Sequence, residues 1–178
     1  ETRNENYHVA IDRYEELLSL HTKDSVAYKS VAYSSSFAHL ATGQLQIGWQ
    51  RYDNGFIPIH DSARTPRRKF DIPQWDGDDI KNKRLLVWGE QGLGDEFWFF
   101  SMLKEAQQCC ASLVIECQPR LVTLLQRSFP DATVRASQLG PLTSVDYEVQ
   151  IPAASLCRIF RSHMEDFTKF EPYIQPDP

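Results

Sequence analysis

The sequence predicts an α/β protein in two parts: an all-helical segment over residues 1–57 and a doubly wound parallel sheet over 84–178, joined by a connector at 58–83. Three observations predict it. Apolar residues in the first part recur at the three- and four-residue spacing of an amphipathic helix. The second part alternates short β-branched runs with helix-length stretches, the pattern of strand–helix–strand units whose strands lie parallel. Between them, Pro58, Pro66 and Pro73 accompany a basic cluster and WDGDD (75–79), a composition that forms no regular element.

In chain order, YHVAIDRYEELLSLH (7–21) sets Val9, Ile11, Tyr14, Leu17, Leu18 and His21 mostly on one helical face. Residues 25–41 form a second amphipathic helix, stopped by Gly43, in which Ser34-Ser35-Ser36 reads as an exposed face. Residues 44–55 carry Leu45, Ile47, Trp49 and Tyr52, then the turn pair Asn54-Gly55. In the connector, Trp75 reads as an anchor. RLLVWG (84–89) is apolar throughout, as a strand buried on both faces requires. A helix over 95–110 follows, then a strand in SLVIEC (112–117). PRLVTLLQRSF (119–129) is a helix with proline in its first turn, where the missing N–H costs nothing. TVRA (133–136) and YEVQIP (147–152) are strands, and ASLCRIF (154–160) is a short helix.

Hydrophobic residues make up 42% and aromatics 12%, enough for a packed core. A net charge of −5 argues against phosphate-led nucleic-acid binding, and no nucleic-acid partner is expected. The one basic cluster, Arg64-Thr65-Pro66-Arg67-Arg68-Lys69, is broken by proline and reads as a solvated linker. No apolar run approaches the ~20 residues that span a bilayer, and no signal peptide is visible, so a cytoplasmic location is expected. Cys109, Cys110, Cys117 and Cys157 read as ordinary buried thiols in a reducing compartment. With no HxxxH or HExxH, neither a metal site nor a cofactor is expected.

GEQGLGDE (89–96) sits where the first strand ends and its helix opens, the end of a parallel sheet at which ligands bind. Three readings compete. A phosphate cradle has glycines and a helix N-terminus in its favour. It lacks the GxGxxG spacing and the P-loop lysine, and Glu90, Asp95 and Glu96 put carboxylates where an anion would sit. A second reading has Asp95 and Glu96 cap the helix, with Phe97, Trp98, Phe99 and Phe100 in the core. In the third, Asp95 is a general base on a glycine-shaped turn, aimed into the crevice.

YHVAIDRY (7–14) aligns with LQIGWQRY (45–52), pairing Ala10 with Gly48, Arg13 with Arg51 and Tyr14 with Tyr52. A small residue four before an aromatic ring is what stacked helix hairpins need, so the segment resembles tetratricopeptide repeats. Its spacing exceeds their ~34-residue period by about one helical turn, which implies an elongated helix around Ala32–Ala41. At most one and a half repeats are present, below the ~3 usually needed for stability alone.

Taken together, GQLQIGWQRY (43–52), WDGDD (75–79), RLLVWGEQGLGDEFWFF (84–100) and PYIQPDP (172–178) resemble the bacterial tetratricopeptide-repeat proteins that carry a GT-B, heptosyltransferase-like glycosyltransferase domain. EQGLGD is the most specific part. The resemblance implies a Rossmann-like amino-terminal GT-B lobe whose Gly-Asp, here Gly94-Asp95, supplies the acceptor-side base. It implies an acceptor pocket shaped by Glu90, Gln91, Gly92 and Gly94, with Arg67, Arg68 and Trp75 as flanking contacts or linker packing. The family's Phe-x-Arg-Tyr is absent, because Phe97-Trp98-Phe99-Phe100-Ser101 lacks the arginine.

The function implied is inverting transfer from a nucleotide-sugar donor to a hydroxyl of a saccharide or protein acceptor. The donor would be held mainly by a carboxyl-terminal lobe outside these residues, so no turnover is expected of this chain alone. The alternative is a non-catalytic scaffold, with a protein partner on the repeat-like helices.

Overall fold

A computed structural model describes residues 2–57, 64–66, 68–137, 146–169 and 171–177; Pro58 and Arg67 lie outside them. The chain divides into two compact units, Glu1–Arg67 with Arg161–Thr168, and Arg68–Phe160 with Lys169–Pro178.

The first unit is helical. Helices α1 (Thr2–Ser19), α2 (Val26–Ala41) and α3 (Leu45–Tyr52) follow one another, and a 3₁₀ turn, Asp53–Gly55, closes α3. Ser25 starts α2, its hydroxyl accepting the Tyr28 N–H at 3.1 Å. Gly43, at φ +77°, turns the chain out of it. Helix α1 packs on α2, and α2 on α3. Of the apolar face expected on α1, Ile11 and Leu18 are buried, while Val9 and Leu17 are exposed. Gly48 allows the close approach of α3 to α2, since a Cβ there would meet the Leu40 side chain at 2.7 Å. Tyr33, Phe37, Trp49 and Tyr52 form an aromatic cluster between α2 and α3, with ring centroids 5.2–5.9 Å apart.

Two expectations for this unit are corrected. Of the serine run only Ser34 is exposed, because Ser35 and Ser36 are fully buried. Their hydroxyls donate to the carbonyls of Ala32 and Tyr33, which satisfies them inside the helix. The Ser35 hydroxyl also accepts from Arg51 at 3.0 Å, and that guanidinium reaches Glu15 and His39 as well. Within the basic cluster, Arg64 is not solvated either. Arg64 is buried, paired with Asp53 at 3.0 Å and lying over the rings of Tyr52 and Phe56. A guanidinium can be buried this way because its flat faces stack on rings while its edge finds a carboxylate.

The second unit is a four-stranded parallel sheet in the order β3-β2-β1-β4, the Rossmann-like arrangement expected. Its elements are β1 (Ile80–Trp88), α4 (Leu93–Phe99), α5 (Leu103–Cys109), β2 (Cys110–Cys117), α6 (Val122–Ser128), β3 (Thr133–Ala136), β4 (Val149–Pro152) and α7 (Leu156–Phe160). Strand β1 is central, and Leu85, Leu86 and Val87 are fully buried. The helix expected over 95–110 is two helices, separated by a 3₁₀ turn at Phe100–Met102. Trp75 is buried, donates its Nε1–H to the Asp78 carbonyl at 2.9 Å and packs edge-on against Phe160, an anchor for the connector.

Residues 171–177 form no regular element and lie against α4 and α6. Tyr173 donates its hydroxyl hydrogen to the Phe97 carbonyl, the Gln175 N–H bonds the Ser128 hydroxyl at 2.9 Å, and Arg127 pairs with Asp177 at 2.7 Å. None of the four cysteines forms a disulfide; Cys117 and Cys157 are buried, whereas Cys109 and Cys110 are only half-buried, and burial pushes the Cys117 thiol up to about 12, which keeps it protonated and inert. No helix among the described residues is long and apolar enough to cross a membrane.

Candidate functional site

Sheet order decides where a ligand would meet this lobe. Strand β1 connects leftward through α4 and α5 to β2, while β4 lies on its other side. The loops after β1 and β4 therefore diverge, and the crevice they leave is the topological switch point. GEQGLGDE forms the β1 side of that crevice.

Glu90 is buried, and its Oε1 accepts the Ala154 N–H at 3.1 Å, tying the β1 loop to the turn after β4. Gln91 adopts φ +64°, a left-handed conformation uncommon for a side-chain-bearing residue and concentrated at functional turns. Gly92 is extended, at φ −117° and ψ 172°, so it supplies no positive φ. Asp95 is exposed on the first turn of α4, and its Oδ2 accepts the Gly92 N–H at 3.0 Å. That bond is the helix cap expected of Asp95; the other carboxylate oxygen is available for further chemistry. Gly94 is exposed, and a Cβ there would meet nothing within 4 Å, so the fold itself does not demand glycine. Gln91, Gly92, Gly94 and Asp95 thus stand at the rim, and Glu90 works beneath it.

Glu96, a residue the sequence reading assigned only to capping, lies at the base of the site. It is 3% exposed, and its Oε2 accepts the Gln118 N–H at 2.8 Å, joining α4 to the loop after β2. Its carboxyl group covers the bare Cα of Gly89, where a Cβ would collide with it. Burial pushes this acid up to about 7; the Gln118 hydrogen bond opposes the shift, and the nearby Glu90 charge adds to it. An unfolded glutamate releases its proton near 4.5, so folding is favoured most at low pH. That advantage is lost as pH rises through about 7. Glu96→Gln keeps an oxygen for Gln118 without the titration. We expect it to change stability little at pH 5 and to raise it at pH 8 by on the order of 3 kcal/mol, read by urea denaturation at both values. Equal effects at the two pH values would remove Glu96 as the titrating group.

Gly89 has the matching prediction. Gly89→Ala is expected to cost about 1–3 kcal/mol, because the carboxyl group that must yield is pinned to Gln118. An unchanged urea midpoint would show that Glu96 can swing aside.

Four aromatic residues follow, and they divide. Phe99 and Phe100 are buried core, whereas Phe97 is 37% and Trp98 49% exposed, correcting their expected place in the core. Helical geometry accounts for this, since residues 99 and 100 face the sheet while 97 and 98 fall on the flank of α4.

A second polar cluster lies on one face at the carboxyl end of the sheet, where Trp88, Glu116 and Arg135 are register neighbours. Glu116 is fully buried, pairing with Arg135 at 2.9 Å and with Arg68 at 2.7 Å. Arg135 also pairs with Asp146. The Arg68 side chain is buried against Phe70 and Trp88, its guanidinium 4.9 and 5.2 Å from their ring centroids. Despite the short ion pair, its N–H axes miss Glu116, and none of its three nitrogens makes a directed hydrogen bond. Trp88 donates to Gln150 at 2.7 Å on the same face. Of the residues named for flanking contacts, Arg68 and Trp75 are thus packed inside, and Arg67 lies outside the described residues. A signal for Glu116 was present as the one charge in the strand SLVIEC. Among the described residues, no cluster of histidine, cysteine and carboxylate side chains could hold a metal.

The chain is similar to Protein FlbA of Caulobacter vibrioides, 31% identical over 161 residues. That match covers 78% of this chain and 26% of FlbA, so the chain spans about a quarter of its relative's length. No family model and no solved structure matches the chain.

Proposed function

We propose that the second unit is the acceptor-side lobe of an inverting, GT-B-like glycosyltransferase, and that the helical unit is the end of a tetratricopeptide-like array. The observation that carries this reading is the placement of the glycine turn at the switch point beside β4, with the exposed Asp95 carboxylate on its rim. In the proposed reaction Asp95 takes the proton from an acceptor hydroxyl as that oxygen attacks the anomeric carbon. The nucleoside diphosphate leaves with the electron pair of the broken glycosidic bond. Glu90 positions the turn through Ala154, and Gln91, Gly92 and Gly94 form the acceptor-facing surface. The donor nucleotide would be held by a lobe beyond these residues.

The test is incubation of the full-length protein with UDP-, GDP- and ADP-sugars, following release of the nucleoside diphosphate. Acceptor-dependent release with any donor supports the reading, and no release with all of them overturns it. A second reading, a protein-binding scaffold, draws support from Val9 and Leu17 on α1 and Leu20 just after it, all exposed. It predicts that a partner protein covers this stripe and that no nucleotide sugar is consumed.

A further inference from the structure

We infer that His39 is a proton-operated latch that holds helix α1 against α2 and α3, closed while its ring is neutral and released when the ring takes a proton. The latch lies wholly within the helical unit and is independent of whether the second unit transfers sugar.

His39 is buried on α2, and both of its ring nitrogens are engaged. Arg51 of α3 lies 2.8 Å from Nε2. A guanidinium can only donate, so Nε2 is a bare acceptor. The ring proton is therefore on Nδ1, where the Gln44 amide oxygen accepts it at 3.1 Å. That amide is itself oriented. The Thr42 hydroxyl hydrogen goes to the preceding turn, so its oxygen accepts from Gln44 Nε2 at 3.2 Å. Arg51 is the hub of the junction, since it also donates to the Ser35 hydroxyl and pairs with Glu15 of α1. Among the described residues, the charged groups facing the ring are Arg51 from α3 and Glu15 from α1, the latter 3.6 Å from Nε2.

A proton on Nε2 would set two donors and two positive charges face to face. Two cations then compete for the Glu15 carboxylate, and the tie from α1 through Arg51 to α3 is lost. The apolar hold on α1 is thin, because Ile11 and Leu18 are buried while Val9 and Leu17 are exposed. Burial holds the imidazole below its ordinary 6.5; the Gln44 hydrogen bond opposes this, the Arg51 charge adds to it, and Glu15 opposes it. A released ring takes its proton near 6.5, so α1 is held fully above that pH and less firmly as pH falls below it.

The experiment is hydrogen exchange of the full-length protein at pH 7.5 and 5.5, read by mass spectrometry and corrected for intrinsic exchange rates. Peptides from α1 are expected to lose protection about three- to tenfold at pH 5.5. Peptides from β1 and β2 are the control, since Glu96 titrates in that unit with the opposite sense. His39→Gln keeps an acceptor for Arg51 and does not titrate, so its α1 protection should be equal at the two pH values. Should that variant fail to fold, the native protein decides alone through a second reading, the ¹⁵N spectrum of labelled histidine. At pH 7.5 it should show His39 protonated at Nδ1 and bare at Nε2. Equal α1 protection at both pH values in the native protein, a pH dependence that survives His39→Gln, or a proton on Nε2 at pH 7.5 would each overturn the latch.

Discussion

Full-length protein carrying Asp95→Asn is expected to transfer sugar about 10²–10⁴-fold more slowly than the native protein, with thermal stability nearly unchanged. Asp95 holds two roles that a single substitution would normally confound. It caps α4 through the Gly92 N–H, and it stands exposed at the rim as the proposed base. Asparagine separates them, since its side-chain oxygen still accepts from Gly92 while its amide cannot take a proton. Asp95→Ala loses both, and should add a stability loss of about 1 kcal/mol to the same loss of turnover. Full turnover in the asparagine variant, with a stability loss confined to the alanine variant, would leave Asp95 as a cap alone.

Glu116→Gln should destabilise the second unit by about 3–5 kcal/mol. The carboxylate is fully buried between Arg68 and Arg135. Arg135 retains Asp146 when Glu116 loses its charge. Among the described residues Arg68 retains the rings of Phe70 and Trp88, which do not offset the cost of an uncompensated buried guanidinium. Adding Arg68→Met removes the stranded charge, so the double variant should be more stable than Glu116→Gln alone. Urea denaturation of the two single variants and the double closes the cycle. Additive losses would mean that Arg68 and Glu116 do not interact, whatever their separation.

The fold was legible where one local rule dominates. TVRA, with its β-branched residues, was assigned its strand at the bounds observed, and RLLVW could only be an inner strand. The helix after the glycine turn was legible in extent but not in its break at Phe100–Met102, because nothing in FFSM marks a 3₁₀ turn. What escaped was polar burial. Ser35 and Ser36 look solvent-facing until their hydroxyls are seen returning to the preceding turn. Arg64 and Arg68 look like linker charges until rings close over them. Each of these depends on partners distant in the chain, which periodicity cannot supply. The site divides in the same way: the glycine turn was found from its motif, but the roles of Glu90 and Glu96 depend on Ala154 and Gln118, which no spacing announces.

The sheet order has a kinetic consequence. Strand β1 is first of the four in the chain and central among them, and one of its edges waits for β4, since Leu85 pairs with Val149. Until that distant segment arrives, an apolar LLVW edge is unpaired, and closing the loop to it is slow because the contact is so non-local. Self-association of partly folded chains is therefore most costly at this stage, and the lobe is most vulnerable while its last strand is undocked.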